Sequence, residues 1–345
     1  MIYAIILAGG VGSRFWPLST DQEPKQFLNI FSKKSLLEES LDRIRKLVKA
    51  DNLYIATNRA HRKKIKFLLK GLKITTQNIL FEPKGKNTLA PIAALTQSIF
   101  GKDKDAVVVV MPSDHLVKER GNFIKTLKRA TVTAEKGYVV TIGIIPHRPE
   151  TGYGYIKIRK SGNQGIRGSV YEVEKFVEKP NPKTAKEFIK DKRYFWNAGI
   201  FVFRAKTFLE EIKRWQPKLS SVLDKIKTRK DINRLWSLFP SMSIDYGLME
   251  KTKKVALIPA DFGWIDLGSW KALEEVKIKD KCGNISCGKH VDMGSKNITV
   301  WSKDHLVATL GLKDIIIVNT GSGLLVCSKE ETQDLKKLIK LAKKQ

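Results

Sequence analysis

Near the start of the chain lies a glycine-rich stretch, Gly9-Gly10-Val11-Gly12-Ser13-Arg14. Glycines let backbone N–H groups approach phosphate oxygens without interference from a β-carbon, and a helix start beyond them favours negative charge. The spacing is not GxGxxG, and no Lys-Ser/Thr pair closes it as in a P-loop. An ordinary strand-to-helix turn therefore stays open as a reading. Two cations follow, Arg14 and Lys25, in a segment stiffened by Pro17 and Pro24. A stiff loop that delivers Arg and Lys beside backbone N–H groups is what polyphosphate binding needs. Two carboxylates stand further along. Asp114 follows an apolar run at residues 107–111, at the strand end where open α/β sheets bind ligands. Asp266 sits in Gly263-Trp264-Ile265-Asp266-Leu267-Gly268-Ser269-Trp270. Carboxylates joined by water and phosphate oxygens suit Mg2+, although an isolated Asp equally caps a helix or forms a turn. In Phe176-Val177-Glu178-Lys179-Pro180, the lysine could meet a phosphate and the glutamate sugar hydroxyls. A surface ion pair before a proline turn is the plainer alternative there, and Asn197, ahead of its apolar strand, is open in the same way. His115 and the other four histidines show no HxxH spacing, and there is no GxSxG elbow.

These residues need a frame. Residues Ile2 to Leu7 are continuously apolar, as in a strand buried on both faces. Leu36, Leu37, Leu41, Ile44 and Val48 mark a helix, with Ser35 as N-cap and Glu38 three residues on. Strands are predicted at 53–56, 78–81, 106–111 and 138–143, alternating with helices at 89–100 and 122–135 and with a basic helix after Asn58. That alternation argues for a parallel sheet with helices on both faces. Beyond Ile145 the texture changes. A turn-rich segment leads to alternating stretches at 155–159 and 170–177, read as antiparallel additions to the sheet, then to a strand at 197–203 and several helices ending near Lys251. From Asn284 short strands separated by Gly, Asn and Asp suggest a small separate β domain. A helix at 330–344 closes the chain, with Leu335, Leu338, Ile339 and Ala342 on one face.

The 345 residues suggest about two domains at roughly 150 residues each. A 42% hydrophobic content excludes wholesale disorder. No apolar run approaches the ~18 residues of a membrane span, and no secretory signal pattern opens the chain, so a cytoplasmic location is expected. Three cysteines without a CxxC pair argue against a disulfide scaffold and a structural zinc site. The net charge of +29 raises the question of a polyanionic partner. Of the 64 basic residues 49 are Lys and only 15 Arg. Arg is the residue favoured for bidentate base and phosphate recognition. A lysine excess scattered along the whole chain fits a solvated surface better than nucleic-acid binding.

Taken together, the chain resembles the sugar-phosphate nucleotidyltransferases, in particular the mannose-1-phosphate guanylyltransferases. Nine segments carry the resemblance in order: 7–18, Pro24-Lys-Gln-Phe27, Phe81-Glu-Pro83 with Asn87-Thr88, Pro112-Ser-Asp-His115, 148–156, 176–180, Trp196-Asn-Ala-Gly199, Ser243-Ile-Asp-Tyr246 and 264–270. Phe15, Thr20-Asp21 and Leu89 depart from the usual pattern and bear on nucleotide preference. The resemblance implies an α/β fold: a Rossmann-like mixed, mainly parallel sheet flanked by helices, plus a small C-terminal β domain resembling a left-handed β-helix. The corresponding domains are 1–280 and 281–345, and the length leaves no room for an appended isomerase domain. The implied reaction is transfer of GMP from GTP to mannose 1-phosphate, with Mg2+ as cofactor and a homodimer as the assembly. A relative using dTTP or UTP with glucose 1-phosphate is the alternative. By resemblance, Arg14 and Lys25 are catalytic. Leu7, Ala8, Gly9, Gly10, Gly12, Ser13, Glu82, Asn87 and Thr88 border the nucleotide. Gly152, Glu178, Lys179 and Asn197 take the sugar phosphate, and Asp114 and Asp266 take the metal. Neither nucleic acid nor membrane is implied as a partner.

Overall fold

The structure, a computed structural model, describes residues 1–10, 12–72, 74–159 and 170–342. Val11 of the glycine-rich stretch and the end of the last expected helix lie outside the described residues. In chain order the elements are β1 (Ile2–Ala8), α1 (Leu36–Ile44), β2 (Leu53–Asn58), α2 (Arg62–Leu69), β3 (Ile79–Glu82), α3 (Leu89–Lys102), β4 (Val107–Pro112), β5 (His115–Val117), α4 (Arg120–Glu135) and β6 (Val139–Ile144). Then come β7 (Gly154–Ile158), β8 (Tyr171–Glu178), α5 (Pro182–Phe188), β9 (Tyr194–Arg204), α6 (Ala205–Trp215), α7 (Pro217–Leu223), α8 (Arg229–Leu235), β10 (Val255–Ala260) and β11 (Trp264–Asp266). The last elements are β12 (Ile285–Met293), β13 (Thr299–Leu310), β14 (Ile315–Thr320), β15 (Gly323–Ser328) and α9 (Leu335–Ala342). The chain forms two compact units. One is Met1–Gly9, Ser40–Ser113 and Val117–Trp264, and the other is Gly10–Glu39, Asp114–Leu116 and Ile265–Gln345.

The first unit holds a mixed sheet of nine strands among the described residues, ordered β3-β2-β1-β4-β9-β6-β10-β8-β7. Neighbours β3, β2, β1 and β4 are parallel, as are β6 and β10. β9 runs antiparallel to β4, β6 and β7, and β8 antiparallel to β10 and β7, so only these two strands oppose the common direction. The strands expected at 155–159 and 170–177 are therefore antiparallel neighbours. β9 starts three residues earlier than expected and inserts between two strands of the opposite direction. Helices cover both faces because successive strand residues point to opposite sides. Tyr3, Ile5, Val108 and Val110 join the alanine-rich α3 in one core. On another surface, Phe123 of α4 meets Phe262 edge-on at 5.2 Å. Register sets the carboxyl ends of β1, β2 and β3 side by side: Ala8 lies opposite Thr57, and Asn58 opposite Glu82. That edge is where an α/β sheet offers its ligand crevice.

The second unit packs the 10–39 segment with the C-terminal strands. Phe15, Leu28, Ile30, Leu36, Trp270, Trp301, Ile316 and Leu335 are buried in one cluster. Phe15 and Trp270 rings are 5.0 Å apart, and Trp270 Nε1 donates to Trp16 O at 3.0 Å, so one indole clamps the loop. The second sheet is ordered β12-β13-β14-β15, with the first two pairings parallel and the last antiparallel. The expected closing helix is shorter: residues 330–334 form a 3-10 turn, and α9 buries Leu335 and Ile339 while Leu338 is exposed.

Candidate active site

In the second unit the glycine-rich loop closes on Lys25. Gly12 has φ +68°, a left-handed conformation that side chains resist, and a β-carbon there would stand 2.2 Å from Lys25 Cβ. Glycine is thus required twice over. Gly12 O accepts from Phe15 N–H at 3.0 Å and from Ser19 Oγ at 2.6 Å, which fixes the turn that begins at Ser13. Lys25 is 4% exposed. Its Nζ donates to Asp114 Oδ2 at 2.9 Å and lies 5.3 Å from the Phe15 ring centre. Burial pushes the Asp114 carboxyl upward, but the Lys25 ammonium, with His115 behind it, more than offsets this and holds it below the usual range. Asp114 is therefore an ionised carboxylate. His115 Nε2 lies 3.7 Å from Asp266 Oδ1, so His115 stands beside both expected metal ligands. A β-carbon at Gly268 would be 3.6 Å from Asp266 Oδ2 and 3.7 Å from Arg14 Nη1, so Asp266 and Arg14 share one small space. Arg14 Nε is buried and has no hydrogen-bond partner among the described residues.

This unit thus gathers Gly10, Gly12, Ser13, Arg14, Lys25, Asp114 and Asp266, residues separated by up to 256 positions. It presents two hard carboxylates and two cations. Mg2+ is commonly held by one or two carboxylates plus substrate phosphate oxygens, not by an all-protein cage, and the donor set of Asp114 and Asp266 fits that pattern.

In the first unit, Leu7 and Ala8 close β1, and Thr57 Oγ1 donates to Ala8 O at 2.9 Å. The Glu82 carboxyl at the end of β3 sits against Gly9, whose β-carbon position is 3.0 Å from Glu82 Oε1. Burial pushes the Glu82 pKa up to about 7. Asn87 has φ +60°, and its Oδ1 accepts from Thr88 N–H. Thr88 Oγ1 accepts from Ile244 N–H at 2.9 Å, so this hydroxyl braces the 242–245 segment.

Of the residues expected to take the sugar phosphate, Glu178, Lys179 and Asn197 lie in this unit around Asp245 and Gly154, and Gly152 turns to Glu150 instead. Glu178 pairs with Lys179, which has φ +49°. Two of the four non-glycine residues with positive φ among those described, Asn87 and Lys179, are therefore residues singled out for function. Such strain concentrates at ligand sites. Burial opposes the Lys179 charge, but Glu178 and then Asp245 outweigh it and raise its pKa. Asn197 Oδ1 accepts from Thr141 Oγ1 and Gly199 N–H, while Nδ2 donates to Asp245 Oδ1 at 3.1 Å. Gly152 N–H donates to Glu150 Oε1, whereas Gly154 is the glycine that lies against Glu178. A β-carbon at Gly154 would be 2.5 Å from Glu178 Oε2 and 3.4 Å from Asn197 Cβ.

Asp245 is the residue that sequence reading did not single out, although its segment belongs to the resemblance. It opens a π-helical turn, Asp245–Met249, a distortion often found at functional sites. Burial, and then the nearby Glu178, push its pKa up to about 6.

A glycine loop over a buried lysine, with two carboxylates in the same unit, is an arrangement suited to a nucleotide-handling enzyme. Comparison with known proteins agrees. The pattern of the nucleotidyl transferase family matches residues 3–282, and that of the mannose-phosphate isomerase/GMP-like β-helix domain matches residues 288–341. The chain belongs to the nucleotidyl transferase family. Among its relatives, the alginate biosynthesis protein AlgA of Pseudomonas putida is 36% identical over 99% of this chain and 71% of its own length. Mannose-1-phosphate guanylyltransferase 2 of Escherichia coli O157:H7 is 36% identical over 100% of this chain and 74% of its own. The crystal structure of mannose-1-phosphate geranyltransferase from Thermus thermophilus superposes with a TM-score of 0.89 at 32% identity, covering 99% of both chains. No helix among the described residues is long and apolar enough to cross a membrane.

Proposed function

We propose that the protein transfers GMP from GTP to mannose 1-phosphate, releasing GDP-mannose and pyrophosphate. A phosphate oxygen of the sugar phosphate attacks the α-phosphorus in line, the bond to the β-phosphate oxygen breaks, and no covalent enzyme intermediate forms. The observation that carries the reaction class is the ion pair between buried Lys25 and half-buried Asp114, with Lys25 packed against Gly12. It supplies a fixed cation and an ionised carboxylate beside the glycine loop. The match to guanylyltransferases along the whole chain supports the choice of nucleotide and sugar.

Backbone N–H groups at Gly9, Gly10, Gly12 and Ser13, together with Arg14, hold the triphosphate, and Lys25 offsets charge at the α-phosphate. Such fixed charges need no reorganisation during reaction. Glu178 and Asn197 orient sugar hydroxyls, with Asn197 locked by Thr141 and Asp245. Lys179 neutralises the attacking sugar phosphate, easing the approach of two polyanions. Glu82, Asn87 and Thr88 border the nucleoside. Asp114 and Asp266 would hold Mg2+, which supplies Lewis-acid neutralisation of phosphate charge when bound.

We read residues 1–280 and 281–345 as the functional domains, supported by the limits of the two family patterns. We also propose a cytoplasmic homodimer formed through the second half of β13. Residues 307–310 pair with β12 on one side, whereas among the described residues β14 meets β13 only at 299–302. Met293 and Leu310, paired across these strands, are 67% and 66% exposed. An open strand edge with apolar side chains is a pairing surface.

The test is pyrophosphate release with Mg2+, each of the four NTPs and dTTP, and a panel of hexose 1-phosphates. GTP with mannose 1-phosphate is expected to give the highest kcat/KM. A higher value for UTP or dTTP with glucose 1-phosphate would replace this assignment with the related activity.

A further inference from the structure

At the end of α3 opposite Asn87 and Thr88, the first unit contains a cavity of about 610 Å³. This is within the size range of small-molecule sites. The 14 residues of α3 separate Asn87 and Thr88 from the cavity by about 20 Å at 1.5 Å per residue, and none of the residues assigned to the reaction lines it. Its apolar wall is built from Leu80, Leu95, Ile226 and Ile232. Four cations line it, Lys102, Lys104, Lys227 and Arg229, and no carboxylate does so among the described residues.

The carboxylates nearest in sequence are already engaged. Asp103 accepts from the Met1 ammonium at 3.1 Å, Asp105 from Arg204 at 2.8 Å, and Asp231 from Arg234 at 2.8 Å and from the Lys227 and Thr228 N–H groups. Two of the cavity's cations rest on aromatic groups instead. Lys102 Nζ donates to Tyr54 Oη at 2.8 Å and lies 5.3 Å from its ring centre; Lys104 Nζ lies 4.0 Å from that of Phe100. Half-buried Arg229 has no ion-pair partner among the described residues, and burial lowers its pKa. An incoming anion would relieve that cost. Guanidinium pairs with phosphate through two parallel hydrogen bonds, while ammonium groups act as point charges. The apolar wall suits a planar base, and the amides of Gln77 and Gln97 on the lining can meet its polar edge.

We infer that this cavity binds a nucleoside phosphate, as a second nucleotide site outside the reaction centre. The phosphates lie among Lys102, Lys104, Lys227 and Arg229, and the base lies along the Leu80, Leu95 and Ile232 wall. The inference does not depend on which reaction the enzyme performs.

Calorimetric titration of the full chain with GDP tests it. Lys102→Ala with Arg229→Ala is expected to remove one GDP equivalent, or to weaken it tenfold or more, while Lys25→Met retains that equivalent. Arg229→Lys, which keeps the charge but loses the fork, is expected to give an intermediate loss. Should the double variant melt far below wild type, the exposed pair Lys104→Ala with Lys227→Ala carries the same test, with an expected weakening of about tenfold. GDP binding unchanged in these variants would overturn the proposal. Inorganic phosphate that displaced this GDP equivalent at equal concentration would show that the nucleoside is not recognised, and would overturn it too.

Discussion

Lys25 is the residue on which the most structure converges: it is buried, hydrogen-bonded to Asp114 and shielded by Gly12 and Phe15. Lys25→Met keeps the length of the stem and removes only the charged donor. The expected loss in kcat is about 10²–10³-fold, the scale of deleting one fixed stabilising donor, with the far-UV circular dichroism retained. Near-normal turnover in this variant would take Lys25 out of the mechanism. Glu82 makes a different prediction, about pH. Its pKa is about 7 in the folded chain against an ordinary 4.5. Between those values the folded chain holds a proton that the unfolded chain has released, so stability falls as pH rises from about 4.5 to about 7 and then levels off. Glu82→Gln cannot ionise. The stability of wild type relative to the variant should therefore decline by about 2–3 kcal/mol across that window, measured by urea unfolding at several pH values. A constant difference would mean that Glu82 ionises as easily folded as unfolded. Lys25 lies in a loop whose residues point to phosphate chemistry by themselves, whereas Glu82 is singled out only by the family resemblance. Asp245 does not announce itself in the same way, because an Asp in Ser243-Ile-Asp-Tyr246 has no distinctive spacing. Its importance comes from burial beside Asn197 and Glu178, residues 48 and 67 positions away.

At the level of elements, two neighbouring glycines should behave oppositely. A β-carbon at Gly12 meets the Lys25 side chain and requires a left-handed backbone, whereas nothing stands within 4 Å of one at Gly10. Gly12→Ala should cost about 1–3 kcal/mol from backbone strain alone, read as a lowered melting temperature, and Gly10→Ala should stay within about 0.5 kcal/mol of wild type. Equal melting of the two variants would refute the requirement at Gly12. The elements that sequence made legible are those encoded locally. β1 is a continuous apolar run. The start of α1 is a reciprocal cap, with Glu38 Oε2 accepting from Ser35 N–H at 2.8 Å and Glu38 N–H donating to Ser35 Oγ at 3.3 Å. Asn58 Oδ1 accepts from Ala60 N–H where the basic helix begins. What local pattern could not reveal was partnership. Periodicity marks residues around 197–203 as a strand but contains nothing that says β9 runs antiparallel between β4 and β6. Nor does it say that the 10–39 loop is clamped by Trp270. Those choices depend on which buried faces fit across long separations, and they decide where Lys25, Asp114 and Asp266 come together.

For the whole molecule, the +29 charge and the apolar edge of the β domain pull in opposite directions. Like charge on two copies opposes association, and at 0.15 M salt it is screened beyond about 8 Å. Apolar contact is short-ranged and unaffected by that screening, so a dimer joined through residues 307–310 should tighten as salt rises. Its contacts would centre on Met293 and Leu310, flanked by Val291 and Leu306, which are 54% and 65% exposed. Burying such side chains contributes roughly 25 cal/mol per Å² of apolar surface, enough to offset screened repulsion only if several are covered together. Met293→Lys with Leu310→Lys places two ammonium groups at the centre of that surface on each copy. Both positions face solvent, so the fold should be kept while association is lost. Sedimentation equilibrium is expected to show a wild-type dimer that strengthens as added NaCl shortens the screening length from about 14 Å to about 4 Å, and a monomeric double variant with wild-type melting behaviour. A dimer that persists in the double variant would place the interface elsewhere on the chain, and a wild-type dimer weakened by salt would mean that ion pairs, not this apolar edge, hold the copies together.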